Sequence, residues 1–288
     1  MSTYRDPRRK PEWLRVKAFS GETYSRVTAL LRDLGLQTVC QEANCPNRGE
    51  CFNRGTAVFL IMGPRCTRNC SFCDVTSGPP SPLDPSEPVR VAEASSRLQL
   101  KHVVVTSVTR DDLADGGAGH FAATIRELRR GLPRATIEVL TPDLRGSDSS
   151  LRTVLAERPD VFNHNVETVP RLYASVRPGA DYRRSLDLLR RARDIGTSVT
   201  KSGVMVGLGE TTGELKDLFA DLAGARISIL TIGQYLAPSR EHHPVVRYLH
   251  PDEFTELEKV ARAIGIGTVV SGPLVRSSYM ADLIADRL

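Results

Sequence analysis

The sequence predicts an α/β protein: a TIM-like, partial barrel of about six β/α units with N-terminal and C-terminal extensions. Three observations carry that expectation. Short apolar runs rich in Val, Ile and Leu recur along the chain, as strands buried on both faces of a parallel sheet require. Between them, apolar residues fall at three- and four-residue spacing, the mark of helices that cover such a sheet. No internal repeat or low-complexity segment interrupts the alternation. The barrel is expected to span residues 56–270, with 1–55 and 271–288 as appendages.

In chain order, residues 1–20 read as a polar arm carrying Arg5, Arg8, Arg9 and Lys10, with Trp13 and Leu14 as a hydrophobic anchor. Residues 22–34 place Val27, Leu30, Leu31 and Leu34 at helical spacing, and Gly35 stops that helix. Strands are expected at 57–63, 102–107, 135–141, 161–166, 199–206, 227–235 and 268–270. Helices are expected at 89–98, after the Pro-rich loop 78–88, and at 121–132, 149–157, 182–195, 214–222 and 252–264. Right-handed crossovers would align these strands in parallel and put function at their C-terminal ends.

Composition narrows the class. At 288 residues, 40% apolar and 25% charged, the chain reads as a soluble globular protein. No run approaches the ~20 apolar residues of a membrane span, and the polar start is unlike a secretory signal, so a cytoplasmic location and no membrane partner are expected. The charge of +5 comes mostly from arginines scattered along the chain. They form no basic helix interleaved with aromatics, so no nucleic-acid partner is expected. All six cysteines lie between residues 40 and 73. Such clustering suits metal sites better than a disulfide framework, which would staple distant loops.

Cys66, Cys70 and Cys73 follow the first barrel strand at spacing C-x3-C-x2-C, with Phe72 before the third. Structural zinc and all-cysteine iron–sulfur sites ordinarily use four protein ligands. Three thiolates on a 4Fe–4S cluster leave one iron open to a small ligand. Upstream, Cys40, Cys45 and Cys51 form a second triplet, C-x4-C-x5-C, inside "VCQEANCPNRGEC". A zinc knuckle with one ligand from elsewhere, or plain core cysteines, would also produce a triplet. Near the other end stands "RSSY", Arg276 to Tyr279, where a serine would otherwise simply cap a helix beginning near 280.

The C-x3-C-x2-C motif resembles the radical S-adenosylmethionine (SAM) superfamily. The two triplets together with "RSSY" resemble one family within it, the lipoyl synthases, over nearly the whole chain. That resemblance implies a cluster on Cys66, Cys70 and Cys73 that binds and cleaves SAM. It implies a second, auxiliary 4Fe–4S cluster on Cys40, Cys45, Cys51 and a serine oxygen, Ser278 with Ser277 as the alternative. An oxygen ligand is more easily displaced than thiolate, which suits a cluster that comes apart. The implied reaction inserts two sulfur atoms, at C6 and C8, into an octanoyl group amide-linked to a lysine of a carrier protein. The carrier would be the lipoyl domain of an oxo-acid dehydrogenase or the glycine cleavage H protein. An electron donor and an iron–sulfur cluster carrier are implied as further partners.

The same resemblance implies SAM contacts at strand ends: Thr106 and Ser107 at the amino group, Asn165 and Glu167 at the ribose or methionine end, and "GVMVGLGE" against the adenine. Lys201 joins them because a charge inside an apolar strand run needs a partner. Thr106 and Ser107 would equally suit strand-end hydrogen bonds. His164 reads as a packed strand histidine. Arg177 and Tyr182 would bind a carboxylate or begin a helix, and His242 and His243 carry no assigned role. Two other classes fit parts of the pattern: a thiotransferase acting on RNA, and a zinc-binding interaction module that is not an enzyme.

Overall fold

The computed structural model describes residues 10–16, 21–196, 199–279 and 281. Arg5, Arg8, Arg9 and most of the C-terminal tail lie outside them.

Eight strands form one sheet in chain order: β1 Gln37–Thr38, β2 Val58–Ile61, β3 His102–Ser107, β4 Thr136–Leu140, β5 Val161–Asn163, β6 Val199–Val206, β7 Ile229–Gln234 and β8 Thr268–Gly272. From β2 to β8 every neighbour pair is parallel. The six crossovers carry helices α4 Glu87–Arg97, α5 Ala118–Gly131, α6 Asp148–Ala156, α8 Tyr182–Ile195, α9 Thr212–Gly224 and α10 Pro251–Ile264. They are the six β/α units expected. With β1 and β8 at its edges, the sheet is an open, TIM-like barrel.

Local chemistry sets these limits. Asp181 caps α8 by accepting from Arg184 N, and Gly196 ends it at φ 116°. Thr211 and Glu214 form a reciprocal capping box on α9. The strand interiors are fully buried: Val103, Val105, Ile137, Val139 and Phe162 are each 0% exposed.

Ahead of the barrel stand α1 Glu22–Asp33, α2 Val39–Glu42 and α3 Arg48–Asn53, with a short α7, Tyr173–Val176, between β5 and α8. The pair β1 and β2 is antiparallel. Two residues of strand and one-turn helices carry no readable period, which is why β1, α2 and α3 do not stand out in the sequence. The anchor does appear: Leu14 is 3% exposed, and Trp13 Nε1 donates to Leu249 O at 3.1 Å. Strand β5 is shorter than expected, because the chain turns away after Asn163 and Glu167 adopts φ 66°. Glu167 N still donates to Gly203 O.

Lys201 has a different role from that expected. Its Nζ lies 3.0 Å from Glu138 Oε1, with the two side chains 1% and 2% exposed. Asn163 Nδ2 donates to the same carboxylate at 2.9 Å, and His102 Nε2 is 3.3 Å away. Burial opposes ionisation of Glu138, but Lys201 and His102 outweigh it and hold the carboxyl down to about 2. This charged layer closes the barrel interior, so Lys201 is a structural residue and not a SAM contact. Lys201→Met is expected to cost about 3 kcal/mol of unfolding free energy, by stranding a buried carboxylate. Urea denaturation checks it: Lys201→Met combined with Glu138→Leu should recover most of the loss.

Candidate active site

One cavity of about 420 Å³ opens at the C-terminal ends of the strands. All six cysteines line it, with Ser277 and Ser278. Segments from the front, middle and end of the chain therefore meet in one space. The thiols ring the cavity without converging: among the described residues no three His, Cys, Asp or Glu side chains gather closely enough for a single metal ion.

The loop of Cys66, Cys70 and Cys73 leaves β2 through Met62, whose φ is 70°. Cys66 N donates to Thr76 O at 2.9 Å and Gly78 N to Cys66 O at 3.0 Å, closing the loop on itself. Neighbours then pin it. Ser71 N donates to Val176 O, and His243 N to Ser71 O. His242 Nε2 lies 3.2 Å from Cys73 O, and His243 Nε2 3.0 Å from Leu208 O. These two histidines, which the sequence left without a role, fasten the β7–α10 connection onto the cysteine loop.

The second triplet sits on α2, α3 and the turn between them. Thr38 caps α2 by accepting from Gln41 N, and Cys45 N donates to Cys40 O at 3.1 Å. The C-terminal segment docks onto this triplet. Asn47 Nδ2 donates to Leu274 O at 2.7 Å, and the Tyr279 hydroxyl donates to the Glu50 carboxylate at 3.1 Å. Tyr279 N donates to Arg276 O at 3.0 Å, so Ser277 and Ser278 stand at the tip of a turn. Gly233 of β7 admits this segment: a Cβ there would lie 2.0 Å from Val275 O.

Burial pushes the thiols of Cys40, Cys51 and Cys73 up to about 12 and raises that of Cys70. They are protonated near neutrality, so a metal group that takes them as thiolates must displace protons.

The strand ends present polar atoms without protein partners. Ser107 Oγ, Thr141 Oγ1, His164 Nε2 and Asn165 Oδ1 are buried, lack hydrogen bonds and belong to residues that line the cavity. His164 Nδ1 lies 2.8 Å from Thr141 O. A carbonyl only accepts, so Nδ1 carries the proton and Nε2 offers a lone pair. Burial, aided by Arg177, pushes His164 down to about 4, which keeps it neutral. Burial raises the Glu167 carboxyl against the pull of Arg177, and Asn165 Nδ2 donates to it at 3.0 Å. Gly203 keeps room for this pair, since a Cβ there would come 2.7 Å from Asn165 Oδ1.

Several sequence expectations change in detail. Thr106 lines the cavity, but its hydroxyl donates to Leu140 O at 2.9 Å. Of "GVMVGLGE", Gly203, Val204 and Met205 reach the cavity, while Glu210 is occupied by Gly207 N and Leu208 N. His164, expected as a packed strand histidine, follows the end of β5 and lines the cavity. Arg177 lines it too, whereas the Tyr182 hydroxyl bonds Asp221.

The donor set suits clusters together with a polar organic ligand: two sets of three thiols share one cavity with unsatisfied polar atoms. Comparison with known proteins agrees. Residues 60–222 match the radical SAM superfamily model, and residues 3–45 match the N-terminal domain of lipoyl synthase of that family. Among solved structures, the FeFe-hydrogenase maturase HydG aligns with a TM-score of 0.56 at 15% identity, covering 90% of this chain and 62% of that one. Methylornithine synthase aligns with a TM-score of 0.51 at 13% identity, covering 88% and 79%. These two likenesses show the fold. The chain is a radical SAM enzyme, using SAM and iron–sulfur chemistry.

Its relatives are more specific. It is 58% identical to the lipoyl synthase of Methylococcus capsulatus over 96% of this chain and 86% of the relative. It is 59% identical to that of Nitratidesulfovibrio vulgaris over 95% and 92%. The chain belongs to the lipoyl synthase family.

Gly233→Ala is expected to push the Val275 carbonyl aside and carry Ser277 and Ser278 away from the second triplet. If each thiol set holds a four-iron cluster, iron bound after anaerobic reconstitution should fall by about half, from roughly eight. Iron and sulfide assays on the purified variant check it.

Proposed function

We propose that this enzyme inserts two sulfur atoms, at C6 and C8, into an octanoyl group held in amide linkage on a lysine of a carrier protein. Cys66, Cys70 and Cys73 would hold one 4Fe–4S cluster; Cys40, Cys45, Cys51 and Ser278 would hold the auxiliary one. When bound, the first cluster with SAM supplies the radical that abstracts hydrogen, and the auxiliary cluster supplies the sulfur. The observation that carries this reading is the shared cavity: both thiol sets and the "RSSY" turn open into the same space.

The chain's own residues bind, orient and exclude water. His164 Nε2 and Asn165 Oδ1 offer acceptors to ammonium or hydroxyl donors of SAM, while Ser107 Oγ can donate or accept. Glu167, held by Asn165, presents a carboxylate beside them. Apolar side chains such as Val58, Leu60, Val108, Leu236 and Val275 line the remainder, suiting an octanoyl chain and keeping water from the reacting carbons. Of the two serines, Ser278 also borders a small second cavity with Cys40 and Cys51, which favours it as the oxygen ligand. Lys10 stands at the larger cavity's lining, where it would meet an acidic carrier domain.

The octanoyl-lysyl carrier is the macromolecular substrate in this reading. An electron donor and an iron–sulfur cluster carrier that rebuilds the auxiliary site complete its partners. We further assign residues 1–55, 56–270 and 271–288 as extension, barrel and extension. Among the described residues no helix is long and apolar enough to cross a membrane.

The test is anaerobic. The reconstituted chain is given SAM, dithionite and an octanoyl-lysyl peptide, and peptide mass is followed with 5′-deoxyadenosine. Two sulfurs gained for two hydrogens lost, with iron released from the auxiliary site, is the expected result. Deoxyadenosine without sulfur in the peptide would reject the substrate.

A further inference from the structure

The loop of Cys66, Cys70 and Cys73 is moulded on the four residues that follow β3. Thr67 N and Thr67 Oγ1 both donate to Thr109 O, at 3.1 and 2.9 Å. Asp111 N donates back to Thr67 Oγ1 at 3.0 Å. Arg110 Nη1 donates to Met62 O at 3.2 Å, fixing the turn from which the loop starts.

Arg68, inside the C-x3-C spacing, completes the mould. Its Nε and Nη2 donate to the two oxygens of Asp111 at 2.7 and 2.9 Å. Its Nη1 and Nη2 donate to the two oxygens of Asp143 at 3.0 and 2.8 Å. Arg184 Nη1 backs Asp143 at 3.1 Å. The Arg68 side chain is 7% exposed and that of Asp143 1%. One planar guanidinium thus forks onto two carboxylates from the ends of β3 and β4, a geometry an ammonium does not reproduce. The loop so held places two amides on one sulfur: Cys66 Sγ accepts from Arg68 N at 3.4 Å and from Thr109 N at 3.3 Å. Hydrogen bonds to ligand sulfurs set the reduction potential of an iron–sulfur cluster.

We propose that Arg68 and Asp111 are positioning residues. They hold loop 66–73 in its working shape before its thiols bind anything, and through that shape they fix both N–H···S bonds to Cys66. The second effect rests on reading Cys66, Cys70 and Cys73 as cluster ligands; the first does not.

Arg68→Lys and Asp111→Asn test it in the full chain. Without iron, amide exchange in loop 66–73 should quicken roughly ten- to hundredfold in each variant, while β6 exchanges as in the parent. After reconstitution, in a background with Cys40, Cys45 and Cys51 replaced by Ala so that one cluster titrates, the reduction potential should fall in both variants. A Lys at 68 should be the more severe, because it loses bonds to both carboxylates. Should Arg68→Lys fail to fold, Asp111→Asn carries the test, since Arg68 keeps Asp143 there. Exchange and potential equal to the parent's would overturn the proposal. So would exchange that quickens evenly along the chain, the signature of global destabilisation. Loop-specific exchange in a chain that takes up no iron at this loop would support the positioning role and sink the cluster reading instead.

Discussion

The site depends on one close approach, that of the Val275 backbone to Gly233. It lets the C-terminal segment cross the mouth of an open sheet and reach the N-terminal extension. Asn47 and Tyr279 then fasten that segment across sequence separations of 227 and 229 residues. Without this crossing, the second thiol triplet would face a cavity with no hydroxyl turn opposite it. The open edge of the sheet has the same consequence: a closed barrel would leave no space where the extension packs beside β2 and β3.

The rest of the molecule holds still what that crossing brings together. Beneath the cavity, Glu138 and Lys201 fill the barrel interior with a buried ion pair. Around the cavity, the Arg68 fork and the two histidines of the β7–α10 connection tie a loop of irregular backbone to regular strands. Such support is what a short loop needs if it is to present three thiols in fixed directions. Several of the buried polar atoms without hydrogen bonds stand at the cavity, where a ligand is expected. His164 Nε2 and Asn165 Oδ1 would cost stability if left dry and unpaired.

The strands and helices of the barrel were legible because each is long enough to show its period, as with 182–195 and 199–206. The six cysteines and "RSSY" were legible because spacing survives in one dimension. What was not legible depended on contacts across the fold. Lys201 in an apolar run signals that a partner exists, but only the β4–β6 separation identifies it as Glu138. His242 and His243 look like loop residues until the loop is seen lying on Cys73 and Leu208. Gly233 reads as an ordinary strand glycine, and only the approach of Val275 explains it. Arg68 lay inside the motif itself, hidden because its two acceptors come from different strand ends.

The central claim is that the two thiol sets are separate cluster sites sharing one cavity. Anaerobic iron and sulfide counts on two triple variants test it most directly, one with Cys66, Cys70 and Cys73 replaced by Ala, the other with Cys40, Cys45 and Cys51 replaced. The account predicts that each variant keeps about four irons, those of the untouched cluster, with a 4Fe–4S spectrum. Loss of all iron from either variant would contradict it, as would full iron content in either one.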